Sequence, residues 1–284
     1  MKFCGGKEIT NTKPNTKNVI LKYFLLSLIF IILTIITQVG GILYILSIYL
    51  AKKFKLTKSI HRLSIFIVLY LISTFILVPI IAPVFGREKI DNTDFIEPHT
   101  FFYTLMNRNY VSPELNELLR DISIELEKKH EGIKLVYLDA NFPFIDKFPL
   151  LPHLSHNDGN KIDICFIYQD SKGKIVNNKR SVSGYGVFEA PNPSEFDQTS
   201  ECKKKGYWQY DYPKYLTFGS INDEISFSEI GTKNLINLIL RNKNVEKLFL
   251  EPHLVKRLNL NNSKIRFHGC RAVRHDDHIH LQIK

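Results

Sequence analysis

Two long apolar runs constrain this chain more than anything else in it. Tyr23 to Leu50 has Gln38 as its one strongly polar residue and carries no charge. Leu63 to Phe85 is also uncharged, with Pro79 and Pro83 near its end. Each run is at least as long as the roughly 20 residues that carry a helix across a bilayer. A soluble core helix keeps a polar face, and a cleaved signal is shorter and is not followed by a second apolar run. The sequence therefore predicts two transmembrane helices, 23–50 and 63–85, with Gly40-Gly41 as a kink point in the first.

The 51–62 loop between the runs carries Lys52, Lys53, Lys55, Lys58 and Arg62 and no acid. Short positive loops stay on the cytoplasmic side. The expectation is a cytoplasmic loop, with the basic N-terminal tail (1–22) and the domain after Arg87 on the other side of the membrane. Lysines at 2, 7, 13, 17 and 22 add to this flanking charge, which supplies much of the net +10. The charge thus reads as membrane topology. No basic-aromatic stripe accompanies it, and no nucleic-acid partner is expected. Cys4 precedes the first apolar run, unlike a lipoprotein cysteine. Cys165, Cys202 and Cys270 lack zinc-ribbon spacing and allow at most one internal disulfide. Cys202 with Cys270 is one pairing open to an extracytoplasmic domain.

Residues 87–284 read as α+β. Ser112-Pro113 starts a helix, with the hydroxyl as N-cap and proline in the first turn. Leu115, Leu118, Leu119, Ile122 and Leu126 line one face, and Lys128, Lys129 and His130 suit its C-terminal end before Gly132. Strands are expected at 133–138, 162–168, 247–250 and 278–283, and helices at 232–241 and 252–258. Residues 170–224, rich in Lys, Asn, Ser, Gly and Pro, read as hairpins and loops, with Tyr185 between Gly184 and Gly186 in a turn.

Five of the ten histidines fall in two windows. The first contains His153, His156 and Asp163, and the second His275, His278 and His280. In a strand, His278 and His280 point to one face. Asp163 enters a strand just after the Gly159 turn and His156 precedes that turn, so both can aim at one point. Nitrogen and oxygen ligands of this kind suit tetrahedral zinc, and three protein ligands leave a position open for catalysis. Cys165 shares the strand face of Asp163 and reads as a buried structural thiol. Asp158, Asp276 and Asp277 read as turn or supporting residues, either of the last two able to fix a histidine tautomer.

His-x6-Asp followed late in the chain by His-x-His resembles the zinc peptidases of the lysostaphin, D-Ala-D-Ala peptidase and hedgehog-like superfamily. The nearer likeness is to penicillin-insensitive murein endopeptidases: His153, Ser155-His156, Gly159 and Asp163-Ile164, then Val273-Arg274-His275-Asp276-Asp277-His278-Ile279-His280, with Lys247 to Leu258 between them. Lys161 stands where those enzymes usually carry an acid. The resemblance implies zinc held by His156, Asp163 and His280. It implies His278 as general base or stabiliser of the tetrahedral intermediate, with His275 and His153 lining the cleft. The expected fold is α+β: a small antiparallel sheet with flanking helices carrying the zinc site (87–284), preceded by two transmembrane helices. The expected function is a murein D,D-endopeptidase of the cytoplasmic membrane. Its peptidase domain would face the periplasm and act on peptidoglycan peptides. A D,D-carboxypeptidase, a peptidase acting on another peptide, and a catalytically silent metal-stabilised binding domain are the alternatives.

Overall fold

The structure is a computed structural model and describes residues 16–284. Cys4, Lys2, Lys7 and Lys13, and with them most of the basic tail, lie outside the described residues. The chain divides into two compact units, Met1–Leu69 and Tyr70–Lys284.

The first unit corrects one expectation. The run 23–50 is two helices, α1 (Thr16–Thr37) and α2 (Gly40–Lys53). The break has a local cause. Gln38 takes a left-handed φ of 66°, and the Thr37 hydroxyl accepts the Gly40 N–H at 2.8 Å, starting the new helix. A Cβ on Gly41 would lie 2.0 Å from Thr34 Oγ1 and 2.7 Å from the Phe30 carbonyl oxygen. The paired glycines thus do more than kink the run: they let α2 fold back along α1. Ile29 and Leu33 of α1 then face Tyr44, Ser47 and Ile48 of α2.

α3 (Ser59–Ile72) begins the second long helix, which continues through a π-helical turn (Ser73–Leu77), α4 (Val78–Ile81) and a 3-10 turn (Ala82–Phe85). Pro79 has no N–H for the carbonyl four residues back, and the widened turn just before it accommodates the ring. Among the described residues, two helices are long and apolar enough to cross a membrane, Lys17–Thr37 and Ser59–Phe85.

The second unit adds β1 (Glu88–Lys89), β2 (Ile96–Pro98), α5 (Phe101–Leu105), β3 (Tyr110–Val111), α6 (Pro113–Lys129), β4 (Leu135–Tyr137), β5 (Lys161–Cys165), β6 (Tyr168–Gln169) and β7 (Ile175–Val176). It continues with α7 (Gln198–Lys204), a 3-10 segment (Trp208–Leu216), β8 (Ser226–Phe227), α8 (Glu229–Arg241), β9 (Val245–Phe249), α9 (Pro252–Arg257), β10 (Ile265–Arg266) and β11 (His278–Ile283). The helix at 113 forms as its sequence predicts, with Ser112 accepting the Leu115 N–H. Within 170–224, α7 and the 3-10 segment are helical where only hairpins and loops were expected.

The main sheet has six strands in the order β10-β9-β11-β5-β4-β2. It is mixed, not purely antiparallel: β10 runs parallel to β9 and β2 parallel to β4. Both parallel pairs are joined through helices, α9 in one case and α5 and α6 in the other, which is what a parallel connection requires. Leu115, Leu119, Ile122 and Leu126 of α6 and Leu235, Ile236 and Ile239 of α8 cover one face of this sheet and form the core with its inward residues. Cys202 and Cys270 form a disulfide that ties α7 to the chain leading into β11.

Candidate metal centre

Strand alternation decides which side chains meet. The antiparallel register of β5 and β11 sets Asp163 opposite His280 and Cys165 opposite His278. Ile162, Ile164, Ile279 and Leu281 belong to the core. Asp163, Cys165, His278 and His280 therefore share the other face. Phe249 of β9 lies beside His280 across the neighbouring pair. His156 arrives from a turn. Gly159, at a φ of 85°, bends the chain from the 150–158 loop into β5.

Three donor atoms converge. His156 Nε2 is 3.1 Å from His280 Nδ1 and 3.2 Å from Asp163 Oδ1, and His280 Nδ1 is 2.8 Å from Asp163 Oδ1. His156, Asp163 and His280 are a buried group able to hold a metal ion. The donor set fits one. Nitrogen and oxygen ligands about 2.0–2.1 Å from a tetrahedral ion stand about 3.3 Å apart, close to these separations. The outer atoms are already engaged: the His156 Nδ1–H donates to the Ala140 carbonyl at 2.9 Å, and the Tyr185 hydroxyl donates to Asp163 Oδ2 at 2.8 Å. His156 Nε2 and Asp163 Oδ1 are thereby left facing the centre. Burial would raise the Asp163 carboxyl, but His156 and His278 hold it well below the usual carboxylate range. Burial takes His280 down to about 4 against the pull of Asp163. An ionised carboxylate beside neutral imidazole is the state a metal requires.

The other three expected histidines stand around this group. His278 is held at Nδ1 by Asp277, 2.5 Å away, and its Nε2 is 3.6 Å from Asp163 Oδ1. The second Asp277 oxygen accepts the Gly186 N–H at 2.6 Å. Burial opposes a charge on His278, but Asp163 and Asp277 outweigh it and raise the ring to about 9. His153 is held at Nδ1 by Asp139 at 2.9 Å, and Arg108 grips Asp139 at 2.6 Å. The His275 ring lies 5.0 Å from His278 and 5.7 Å from His280. Burial, with His278 and His280 adding to it, pushes its pKa well below the usual value. All six expected residues are therefore in one cluster.

Four participants escaped sequence reasoning: Arg108, Asp139, Tyr185 and His268. His268 stacks on Phe249 at 4.1 Å and lies 5.2 Å from His275, on the exposed side of the cluster. None of the four has a spacing signature relative to either motif. Tyr185 was marked only as a turn residue. Three other histidines have structural partners that the sequence did not reveal: His99 with the Ser181 carbonyl, His130 with Asn234 and His253 with the Glu189 carbonyl. Cys165 is buried, 3.5 Å from His99, and burial pushes its thiol up. Asp158 accepts the Asn160 N–H in the turn, and Asp276 pairs with Arg274. No protein-family profile matches the chain, and no curated protein matches it.

Proposed function

We propose that this chain is a membrane-anchored zinc metallopeptidase acting on the peptide cross-links of peptidoglycan. The convergence of His156 Nε2, Asp163 Oδ1 and His280 Nδ1 carries the reading, because two imidazoles and one carboxylate are a ligand set of catalytic zinc with a position to spare. A zinc ion held by His156, Asp163 and His280 would supply Lewis acidity there, for a substrate carbonyl and for the acidity of water near neutral pH. The chain's own groups do the rest. Asp277 engages Nδ1 of His278, so Nε2 is the atom that takes or gives a proton at the reacting centre. The Arg108–Asp139–His153 chain fixes the His153 tautomer and leaves its Nε2 free to meet a substrate oxygen. His275, kept neutral by burial, stands 5.0 Å from the His278 ring and 5.7 Å from the His280 ring.

The choice of peptide rests on the likeness of both motifs to murein endopeptidases. Placement outside the cytoplasm is supported by the basic 51–62 loop and by the Cys202–Cys270 disulfide, which belongs to oxidising compartments. The test uses the full chain in detergent, loaded with zinc, beside a chelated sample and a His156→Ala variant. Cross-linked muropeptide dimers are expected to fall to monomers only with both metal and His156. His278→Ala should keep its metal and lose about 100-fold or more in turnover. One zinc per chain with dimers left intact would reject the cross-link as substrate, and release of single terminal residues would assign a carboxypeptidase instead.

A further inference from the structure

The final stretch of the Ser59–Phe85 helix has two unlike faces. Tyr70, Thr74, Val78 and Ala82 recur every four residues and meet the folded domain. The Tyr70 hydroxyl donates to the Leu105 carbonyl at 2.7 Å, Asn107 Nδ2 reaches Thr74 Oγ1 at 3.5 Å, and Val78 and Ala82 are buried. The bulkier apolar residues point away: Ile76 is 54% exposed, Ile80 69% and Val84 83%. A helix covered by water would present the reverse arrangement. The exposed face suits lipid.

The same surface continues onto the domain. The Phe101 ring stacks on Phe75 with centroids 6.0 Å apart, and Phe101 and Phe102 at the start of α5 are each 61% exposed. Lys89 lies 5.8 Å over the Phe75 ring, as a lysine does when its stem covers apolar surface and its charge reaches water. Depth follows from helix length. Hydrocarbon about 30 Å thick takes up roughly 20 residues, which ends at Val78 if counted from Ser59 and at Ala82 if counted from Leu63. Phe75 then lies about 5–10 Å inside that boundary, and a ring stacked on it lies at similar depth.

We propose that α5 is itself seated in the bilayer: Phe101 and Phe102 enter the outer leaflet, and lipid acyl chains cover them. The proposal rests on the reading that Ser59–Phe85 crosses a membrane. Its consequence reaches the metal centre. Arg87, directly after the helix, packs so closely on Gly159 that a Cβ there would come within 2.6 Å of the guanidinium, and Arg87 also pairs with Asp146. Phe85 meets Phe144 at 5.1 Å. The turn that joins His156 to Asp163 is therefore braced by the end of the membrane helix. With α5 seated, the centre is held at the bilayer surface, and its substrates are peptides that reach that surface.

The test places the full chain, with its single tryptophan removed by Trp208→Phe, in bilayers of brominated phosphatidylcholine. Phe102→Trp, with Phe101→Trp as a second reporter, is compared with Ile76→Trp on the helix and with Ile230→Trp on the exposed face of α8. The expected result is blue-shifted emission at 102, quenched by the brominated chains about as strongly as at 76, and no quenching at 230. Quenching at 76 but at neither 101 nor 102 would overturn the seat while leaving the anchor in place. Blue-shifted but unquenched emission at 102 would assign the patch to a protein partner, such as a second copy, and overturn it as well. No quenching at 76 would remove the membrane crossing and the seat together. None of these readouts depends on metal or on peptide cleavage.

Discussion

Tyr185 shows how much of this centre is built by residues that no motif marks. Its hydroxyl holds Asp163 Oδ2 at 2.8 Å and also receives support from the Asp139 backbone region, where the N–H of Asp139 donates to it at 3.2 Å. Without that oxygen the carboxylate loses the hydrogen bond that fixes Oδ2, and with it part of the hold on the direction of Oδ1. Hydrogen bonds that orient a metal ligand are worth about 10–100-fold in affinity. Tyr185→Phe keeps the buried ring against Leu138 and Tyr103 and is expected to weaken metal binding by about that factor, measured by competition with a chelator. An unchanged affinity would take Tyr185 out of the centre. The convergence of His156, Asp163 and His280 was legible because strand alternation and the Gly159 turn act within a few residues. Tyr185 and Asp139 were not, since each reaches the site from another segment through the fold.

At the scale of elements, the α1–α2 hairpin changes the topology implied by a single helix over 23–50. α1, with 22 residues, is about 33 Å long and α2, with 14, about 21 Å; the first matches the roughly 30 Å of hydrocarbon and the second falls short of it. Because the chain folds back at Gln38, a hairpin inserted in a membrane is expected to return to the face it entered from. Lys17 and Lys22 at the start of α1 then share a side with Lys52, Lys53, Lys55, Lys58 and Arg62, so the basic residues act in one direction. The start of α1, expected outside when 23–50 was one span, is then expected on the side of the basic loop. In a Cys4→Ser background, an impermeant maleimide should label Lys17→Cys and Lys55→Cys from one side of sealed vesicles and Ile230→Cys from the other. Labelling of position 17 together with 230 would restore the single span.

For the whole molecule, Glu251 links the site to stability. It is buried before α9, where its Oε1 accepts from the Tyr210 hydroxyl at 2.5 Å and from the His275 N–H at 2.9 Å. Burial, reinforced by the charge of Asp276, raises its carboxyl from 4.5 to about 7. The folded state thus holds a proton that the unfolded chain releases. The contribution of this group to stability is fully present below pH 4.5 and is lost as pH rises through 7. The shift corresponds to on the order of 3 kcal/mol. Denaturation series between pH 4.5 and 8 should show the parent losing roughly that much more stability than Glu251→Gln across the window. Parallel curves for the two proteins would show that Glu251 titrates normally.

Sequence alone determined what depends on near neighbours. Apolar runs of this length read as membrane-spanning, Ser112-Pro113 starts a helix, and His278-Ile279-His280 sorts its side chains onto two faces because a strand has a period of two. Each of these follows from chain geometry over a few residues. The tertiary structure decided what depends on close approach between distant segments. The Gly41 backbone lies against Thr34 and Phe30 and turns one expected helix into a hairpin. The helical crossovers make the sheet mixed. Arg108, Asp139, Tyr185 and His268 come together around two motifs more than a hundred residues apart. Such partners are chosen by packing and by the need of buried polar groups for hydrogen bonds, and neither leaves a spacing in the chain.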